Sequence, residues 1–206
     1  MSFELPRFYP ILDTGALQQR GLDALTVAQE LADAKVGIVQ FRHKGDFHRD
    51  AFDLAEQVGE VVREAGALYF INDRVDVALM LGADGVHVGQ EDLPPSAVRR
   101  VAGQRLLVGL STHNEEQLRA AADEPVDYVA LGPLFGTTSK DNPDPTVGVD
   151  ELKRLSGSMR KPMAAIGGIS RGNAGQVLEA GADSVAVISD WLEGDRVRAI
   201  EQWLQV

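Results

Sequence analysis

The chain has 206 residues, 44% of them hydrophobic and 25% charged, which is enough for one substantial buried core. It contains no cysteine, so disulfide frameworks, thiolate metal sites and cysteine nucleophiles are excluded. The net charge of −11 speaks against a nucleic-acid surface. The absence of a long apolar run or an N-terminal leader pattern makes a cytoplasmic protein without membrane contact the expectation.

In chain order, short apolar runs alternate with amphipathic stretches. Strands are predicted near 8–12, 36–41, 68–71, 85–88, 107–109, 128–131, 163–166 and 184–188. Helices are predicted near 26–34, 47–65, 75–81, 95–101, 115–122, 149–155, 173–180 and 196–204. Three helix ends place Gly66, Gly82 and Gly181 where a left-handed residue closes a helix before the next strand. Eight βα repeats predict an α/β fold, a single (β/α)₈ TIM barrel occupying 1–206 as one catalytic domain. A doubly wound sheet is the competitor, but neither glycine-rich phosphate turn that such sheets use is present.

In such a barrel, chemistry sits on the rim at the C-terminal ends of the strands. The second strand closes on Gln40, Arg42 and Lys44, alternating residues that share a face and suit a phosphate or diphosphate. The alternative is that they are merely solvated. The third strand ends at Asn72 and Asp73, and the loop after the fourth carries Asp92. Two acids on adjacent rim positions fit Mg²⁺, which takes one or two carboxylates and completes its shell with water and substrate phosphate. Their alternative role is to cap the helices that follow.

Ser111, after the fifth strand, is a phosphate donor or a cap. His113 suits a structural role, with no acid visible beside it, and His87 reads as a core histidine. His43 and His48 are expected to face solvent. Thr137, Thr138, Ser139 and Lys140 lie on the longest loop and have the composition of a phosphate clamp. Ile166–Ser170 and Val187–Asp190, which include Gly168, Ile188 and Ser189, occupy the recurrent phosphate position of this barrel. Two separate anion sites imply an enzyme with two phosphorylated substrates.

Seven motifs occur in order: Q-F-R-H-K from Gln40, N-D at Asn72, G-V-H-V-G-Q-E-D ending at Asp92, S-T-H at Ser111, G-P-L-F-G-T-T-S-K ending at Lys140, I-G-G-I from Ile166, and V-I-S ending at Ser189. This series resembles the thiamine phosphate synthase family from about Phe8 to about Asp190. The resemblance implies a transferase of thiamine biosynthesis that joins an aminopyrimidine diphosphate to a thiazole phosphate and releases diphosphate. It implies that Gln40, Arg42, Lys44, Asn72, Ser111 and Lys140 hold the pyrimidine diphosphate, with Arg42, Lys44, Lys140 and Ser111 acting catalytically. It assigns Mg²⁺ to Asp73 and Asp92, and the thiazole phosphate to Thr137, Thr138, Ser139, Gly168, Ile188 and Ser189.

The chain departs from the family pattern in its first-strand turn, F-Y-P-I-L-D-T, and at His43, Gly136 and Ser139. The alternatives are a thiazole tautomerase of the same superfamily, working through His113, and a non-catalytic barrel that binds a phosphorylated ligand. The expected partners are small phosphorylated molecules, and the sequence leaves the oligomeric state open.

Overall fold

The structure is a computed structural model that describes residues 3–136 and 144–206. Eight parallel strands close into a barrel in sequence order: β1 (Phe8–Asp13), β2 (Ile38–Arg42), β3 (Leu68–Asn72), β4 (Gly85–Val88), β5 (Leu107–Thr112), β6 (Tyr128–Leu131), β7 (Met163–Ile166) and β8 (Ser184–Val187). Closure brings β8 back against β1, with Phe8 opposite Val185. The surrounding helices are α1 (Thr14–Gln19), α2 (Ala24–Asp33), α3 (Arg49–Glu64), α4 (Val75–Met80), α5 (Pro95–Ala102), α6 (Glu115–Ala121), α7 (Val149–Ser156), α8 (Ala174–Glu179) and α9 (Arg196–Trp203). No helix among the described residues is long and apolar enough to cross a membrane.

The predicted strands and helices are all present, with ends shifted by a few residues. The structure adds α1 and a short 3₁₀ turn, Asp190–Leu192. Each helix buries one stripe. In α3 the buried positions Ala55, Val58, Gly59 and Val62 recur at the spacing of one helical face. Gly59 is needed because a Cβ there would press into the Tyr69 ring. Gly66, Gly82 and Gly181 follow the last turns of α3, α4 and α8 with φ of +82°, +59° and +103°, as the closing role requires.

Alternation along the strands divides the core in two. One apolar layer lies between the strands and the helices. The other fills the barrel with Tyr9, Ile11, Ile38, Phe70, Tyr128, Ala130, Ala164 and Ala186. The interior aromatics fit because glycine faces them across the ladder: Phe70 pairs with Gly85, and Tyr128 with Gly109. A Cβ on Gly109 would overlap the Tyr128 ring. Gly109→Ala is therefore expected to lower the unfolding free energy by roughly 1–3 kcal/mol. Urea denaturation checks this, and an unchanged midpoint would contradict the packing described.

At the opposite end from the site, aspartates preceding alternate strands tie the barrel together. Asp84, Asp127 and Asp183 accept from the backbone N–H groups of Tyr69, Val108 and Met163 at 2.8, 2.7 and 2.8 Å. Each stands immediately before β4, β6 or β8 and binds the preceding strand. These bonds supply acceptors for strand-opening donors that the ladder does not reach.

Candidate active site

The inward positions of the strands end in a polar ring. Asp13, at the end of β1, is buried, and its carboxylate accepts from Ala16 N at 2.7 Å, capping α1. The same carboxylate pairs with Arg42 at the end of β2, and the ladder sets Asp13 opposite Arg42. Arg42 is thus held by a fixed acid. Sequence reasoning missed Asp13, although it carries the same signal as Asp73, a carboxylate closing a strand.

Gln40, one inward step below, is buried and donates from Nε2 to the Tyr9 hydroxyl at 3.0 Å. It lies on the same face as Arg42 but deeper. Lys44, on the loop beyond, reaches Asp73 Oδ2 with Nζ at 2.6 Å while staying about half exposed. Arg42 is thus largely withdrawn from solvent beside its acid partner, whereas Lys44 is paired and still about half solvated.

His43 is half-buried rather than solvent-facing. Its Nδ1 lies 2.8 Å from Thr14 Oγ1, and its ring packs edge-on against Phe47. The cause is α1, unforeseen from sequence, which brings Thr14 against the β2 loop. His48 is exposed, as expected.

Asp73 adopts φ of +61°, one of two described non-glycine residues in the left-handed region. Its N–H bonds to His87 O at 2.8 Å, which locks β3 to β4 through this turn. The turn removes Asp73 from any capping role: Arg74 holds the cap position of α4 and no side chain bonds there. Asp92 does not cap α5 either, because Pro94 occupies that place. Instead Asp92 Oδ2 accepts from Gly89 N at 2.7 Å, folding the β4 loop back on itself. Helix capping as a second role for the two acids is overturned.

The acids face one another. Partial burial, followed by the neighbouring Asp73 carboxyl, raises the Asp92 pKa above the usual carboxylate range. Like charges held together this way are relieved by a shared proton or by a cation. Among the described residues no group of three or more His, Asp or Glu side chains could hold a metal ion. Two carboxylates are nevertheless a sufficient protein contribution for a hard cation that shares substrate oxygens. Next to them, Asn72 Nδ2 is the one buried side-chain polar atom among the described residues without a hydrogen-bond partner. A buried orphan donor is costly and suits an incoming anion.

Ser111 is half-buried at the end of β5, where Oγ meets His87 Nε2 at 2.8 Å. It does not cap α6; Asn114 does, accepting from Gln117 N at 2.9 Å. His87 is a packed interior histidine, and burial pushes its pKa down to about 4. His113 gives Nδ1 to Gly132 O at 2.7 Å, a structural contact, but an acid does stand near it: Asp144 Oδ2 is 3.6 Å away. Sequence reasoning missed that neighbour because it comes from the loop after β6.

Across the mouth are the loops after β7 and β8, where the second anion position is expected. Gly167 and Gly168 have φ of +97° and +64°, and a Cβ on either would strike the β6 loop. The two loops are laced together by Leu134 N to Ile166 O at 2.9 Å and Phe135 N to Gly167 O at 3.0 Å. The glycines are thus required first for this close approach. Half-buried Ile188 and Ser189 follow β8. Arg171 on the β7 loop grips Asp190 at 2.7 Å and so ties the two loops to each other. Thr137, Thr138, Ser139 and Lys140 lie outside the described residues.

Comparison with known proteins places this arrangement among relatives. A protein of Koribacter versatilis named thiamine-phosphate synthase is 45% identical over 98% of this chain and 96% of its own length. One of the same name from Chloroflexus aurantiacus is 39% identical over 97% and 91%. A solved structure, thiamine phosphate pyrophosphorylase from Pyrococcus furiosus, superposes with a TM-score of 0.86 at 29% identity, covering 97% of this chain and 94% of that one. A tryptophan synthase α-subunit from the same organism, at 19% identity and a TM-score of 0.72, shares the fold alone. A family model described as thiamine monophosphate synthase matches residues 8–191, the stretch from the first strand through the loop after the last, and the chain belongs to that family.

Proposed function

We propose that this rim joins an aminopyrimidine carrying a methylene diphosphate to a thiazole phosphate, forming thiamine phosphate and releasing diphosphate. The observation that carries the reading is the corner where Arg42, Lys44, the facing acids Asp73 and Asp92 and the orphaned Asn72 donor converge. A neutral ligand would leave that concentration of charge without purpose. The names of the curated relatives favour neither the tautomerase nor the non-catalytic alternative.

In this reading Asp73 and Asp92 hold Mg²⁺, which when bound neutralises negative charge on the diphosphate as it departs. Arg42 keeps a fixed direction because Asp13 holds it, so its remaining donors are preorganised for phosphate oxygens. Lys44 is poised to exchange its carboxylate partner for a phosphate oxygen, a short move for a flexible, half-exposed chain. Asn72 Nδ2 gains the acceptor it lacks. Gln40 bounds the deeper part of the pocket, where the pyrimidine sits, and Ser111, nearer the mouth, faces the diphosphate.

Lys140 adds a cation from the β6 loop, and Thr137, Thr138, Ser139, Gly168, Ile188 and Ser189 take the thiazole phosphate. The thiazole nitrogen attacks the methylene carbon as the carbon–oxygen bond to diphosphate breaks. Both electrons of that bond leave with the diphosphate. The aminopyrimidine ring stabilises the cationic carbon, so no protein nucleophile is required. The residues serve to orient two substrates and to stabilise the leaving charge.

The test is direct. Folded protein supplied with both substrates and Mg²⁺ is expected to yield thiamine phosphate, identified by chromatography and mass, and excess EDTA should stop its formation. A folded protein that yields none with Mg²⁺ sinks the reading.

A further inference from the structure

Below the mouth, an unbroken run of hydrogen bonds crosses the barrel from β2 to β5. Gln40 Nε2 donates to the Tyr9 hydroxyl at 3.0 Å, and the Tyr9 and Tyr128 hydroxyls lie 3.1 Å apart. Tyr128 Oη is 2.8 Å from His87 Nδ1, and His87 Nε2 is 2.8 Å from Ser111 Oγ. Tyr9, Gln40, His87 and Tyr128 are all buried. Water therefore does not stand in for any member of the run.

Proton counting gives the run a direction. Each phenol has one proton, and a neutral imidazole has one N–H and one acceptor nitrogen. Tyr9 accepts from the Gln40 amide, so its own proton turns to Tyr128. Tyr128 then donates to His87 Nδ1, and the imidazole proton must sit on Nε2, aimed at Ser111. With one lone pair taken, Ser111 directs its hydroxyl proton to the mouth. The reverse direction would have Ser111 donate to His87 and turn lone pairs toward the mouth, which an anion would oppose.

We propose that Tyr9, Tyr128 and His87 are positioning residues that polarise Ser111 as a hydrogen-bond donor toward the departing diphosphate. The functional half of this rests on the reading of the rim as a diphosphate site; the direction of the run does not. A donor held in place by a buried relay costs no reorganisation as charge grows on the leaving oxygen. Tyr128 is the hinge of the device, since it alone links the phenol pair to the imidazole. It also explains why Gly109 must leave room for that ring.

Two measurements test the proposal. The first needs neither substrate nor metal. In ¹⁵N-histidine-labelled wild-type protein near neutral pH, NMR should show His87 with a protonated Nε2 and a bare Nδ1. The spectra of His43→Gln, His48→Gln and His113→Gln assign His87 by elimination. Finding the proton on Nδ1 overturns the proposal, whatever the enzyme makes.

The second is a kinetic cycle on thiamine phosphate formation. Tyr128→Phe should lower kcat roughly tenfold. In a Ser111→Ala background the same change should lower it by less than about twofold, because Tyr128 acts only through Ser111. Losses that multiply overturn the proposal. If Tyr128→Phe does not fold, the tautomer in the wild-type protein decides alone. If the protein makes no thiamine phosphate while His87 carries its proton on Nε2, the functional reading of the rim has failed and the direction of the run stands.

Discussion

Replacing Asp92 by asparagine is expected to lower kcat for thiamine phosphate formation by about 10²–10³-fold while leaving the fold at least as stable. Asparagine keeps an oxygen for the Gly89 N–H, which Asp92 accepts at 2.7 Å, and removes a negative charge facing Asp73. The sign of the stability effect follows from the raised pKa of Asp92, caused first by burial and then by Asp73. A carboxyl whose folded pKa exceeds its unfolded value favours folding below the unfolded pKa, and that contribution is lost as pH rises through the folded pKa. At neutral pH the ionised form therefore opposes the fold, and the variant is relieved of it. Thermal melts should show a Tm equal to or above wild type, with the gap narrowing in acid. Mg²⁺ should raise the wild-type Tm and leave that of the variant nearly unchanged. A variant with full kcat, or one that Mg²⁺ stabilises as much as wild type, would contradict the metal assignment of Asp73 and Asp92.

Arg42→Met is expected to fail differently, losing about 3 kcal/mol of unfolding free energy as well as activity. The Arg42 and Asp13 side chains are 15% and 10% exposed, so removing the guanidinium leaves a carboxylate nearly buried and unpaired. Asp13 has no escape toward solvent, because the same group caps α1. The double change Arg42→Met with Asp13→Asn should recover most of the stability, since the cost comes from the stranded charge. It should not recover kcat/KM, expected to be down by about 10² in both proteins for want of the diphosphate cation. Urea denaturation and steady-state kinetics together read this out. A single variant as stable as wild type would show that the pair does not anchor the rim. A double variant with restored activity would show that Arg42 is not a substrate contact.

The eight repeats were legible because strands and helices have different apolar periods and because Gly66, Gly82 and Gly181 mark helix ends that only a left-handed residue closes. The rim chemistry was legible in part for the same reason: Gln40 and Arg42 alternate along one strand and must share its inward face. What escaped notice depends on distance in sequence. α1 is six residues long with Leu17 its only buried residue, too short to leave an amphipathic pattern. Without α1 the Thr14–His43 contact could not be foreseen, whereas the Asp13–Arg42 pair follows from the register of β1 on β2 and was overlooked. The interior run from Gln40 to Ser111 joins hydroxyls 119 positions apart, Tyr9 and Tyr128, and no local period encodes a neighbour across a closed barrel. The capping alternative for Asp73 and Asp92 was open in the sequence because it turns on backbone angles, such as φ of +61° at Asp73.

The measurement that bears most directly on the account is the stoichiometry of the reaction. Purified protein is mixed with the aminopyrimidine diphosphate, the thiazole phosphate and Mg²⁺, and released diphosphate and newly formed thiamine phosphate are quantified together over time. The proposed reaction predicts that the two appear in equal amounts and that both stop when either substrate is left out, because the thiazole nitrogen attacks as the bond to diphosphate breaks. Diphosphate released without thiamine phosphate, or neither product from folded protein, would contradict it.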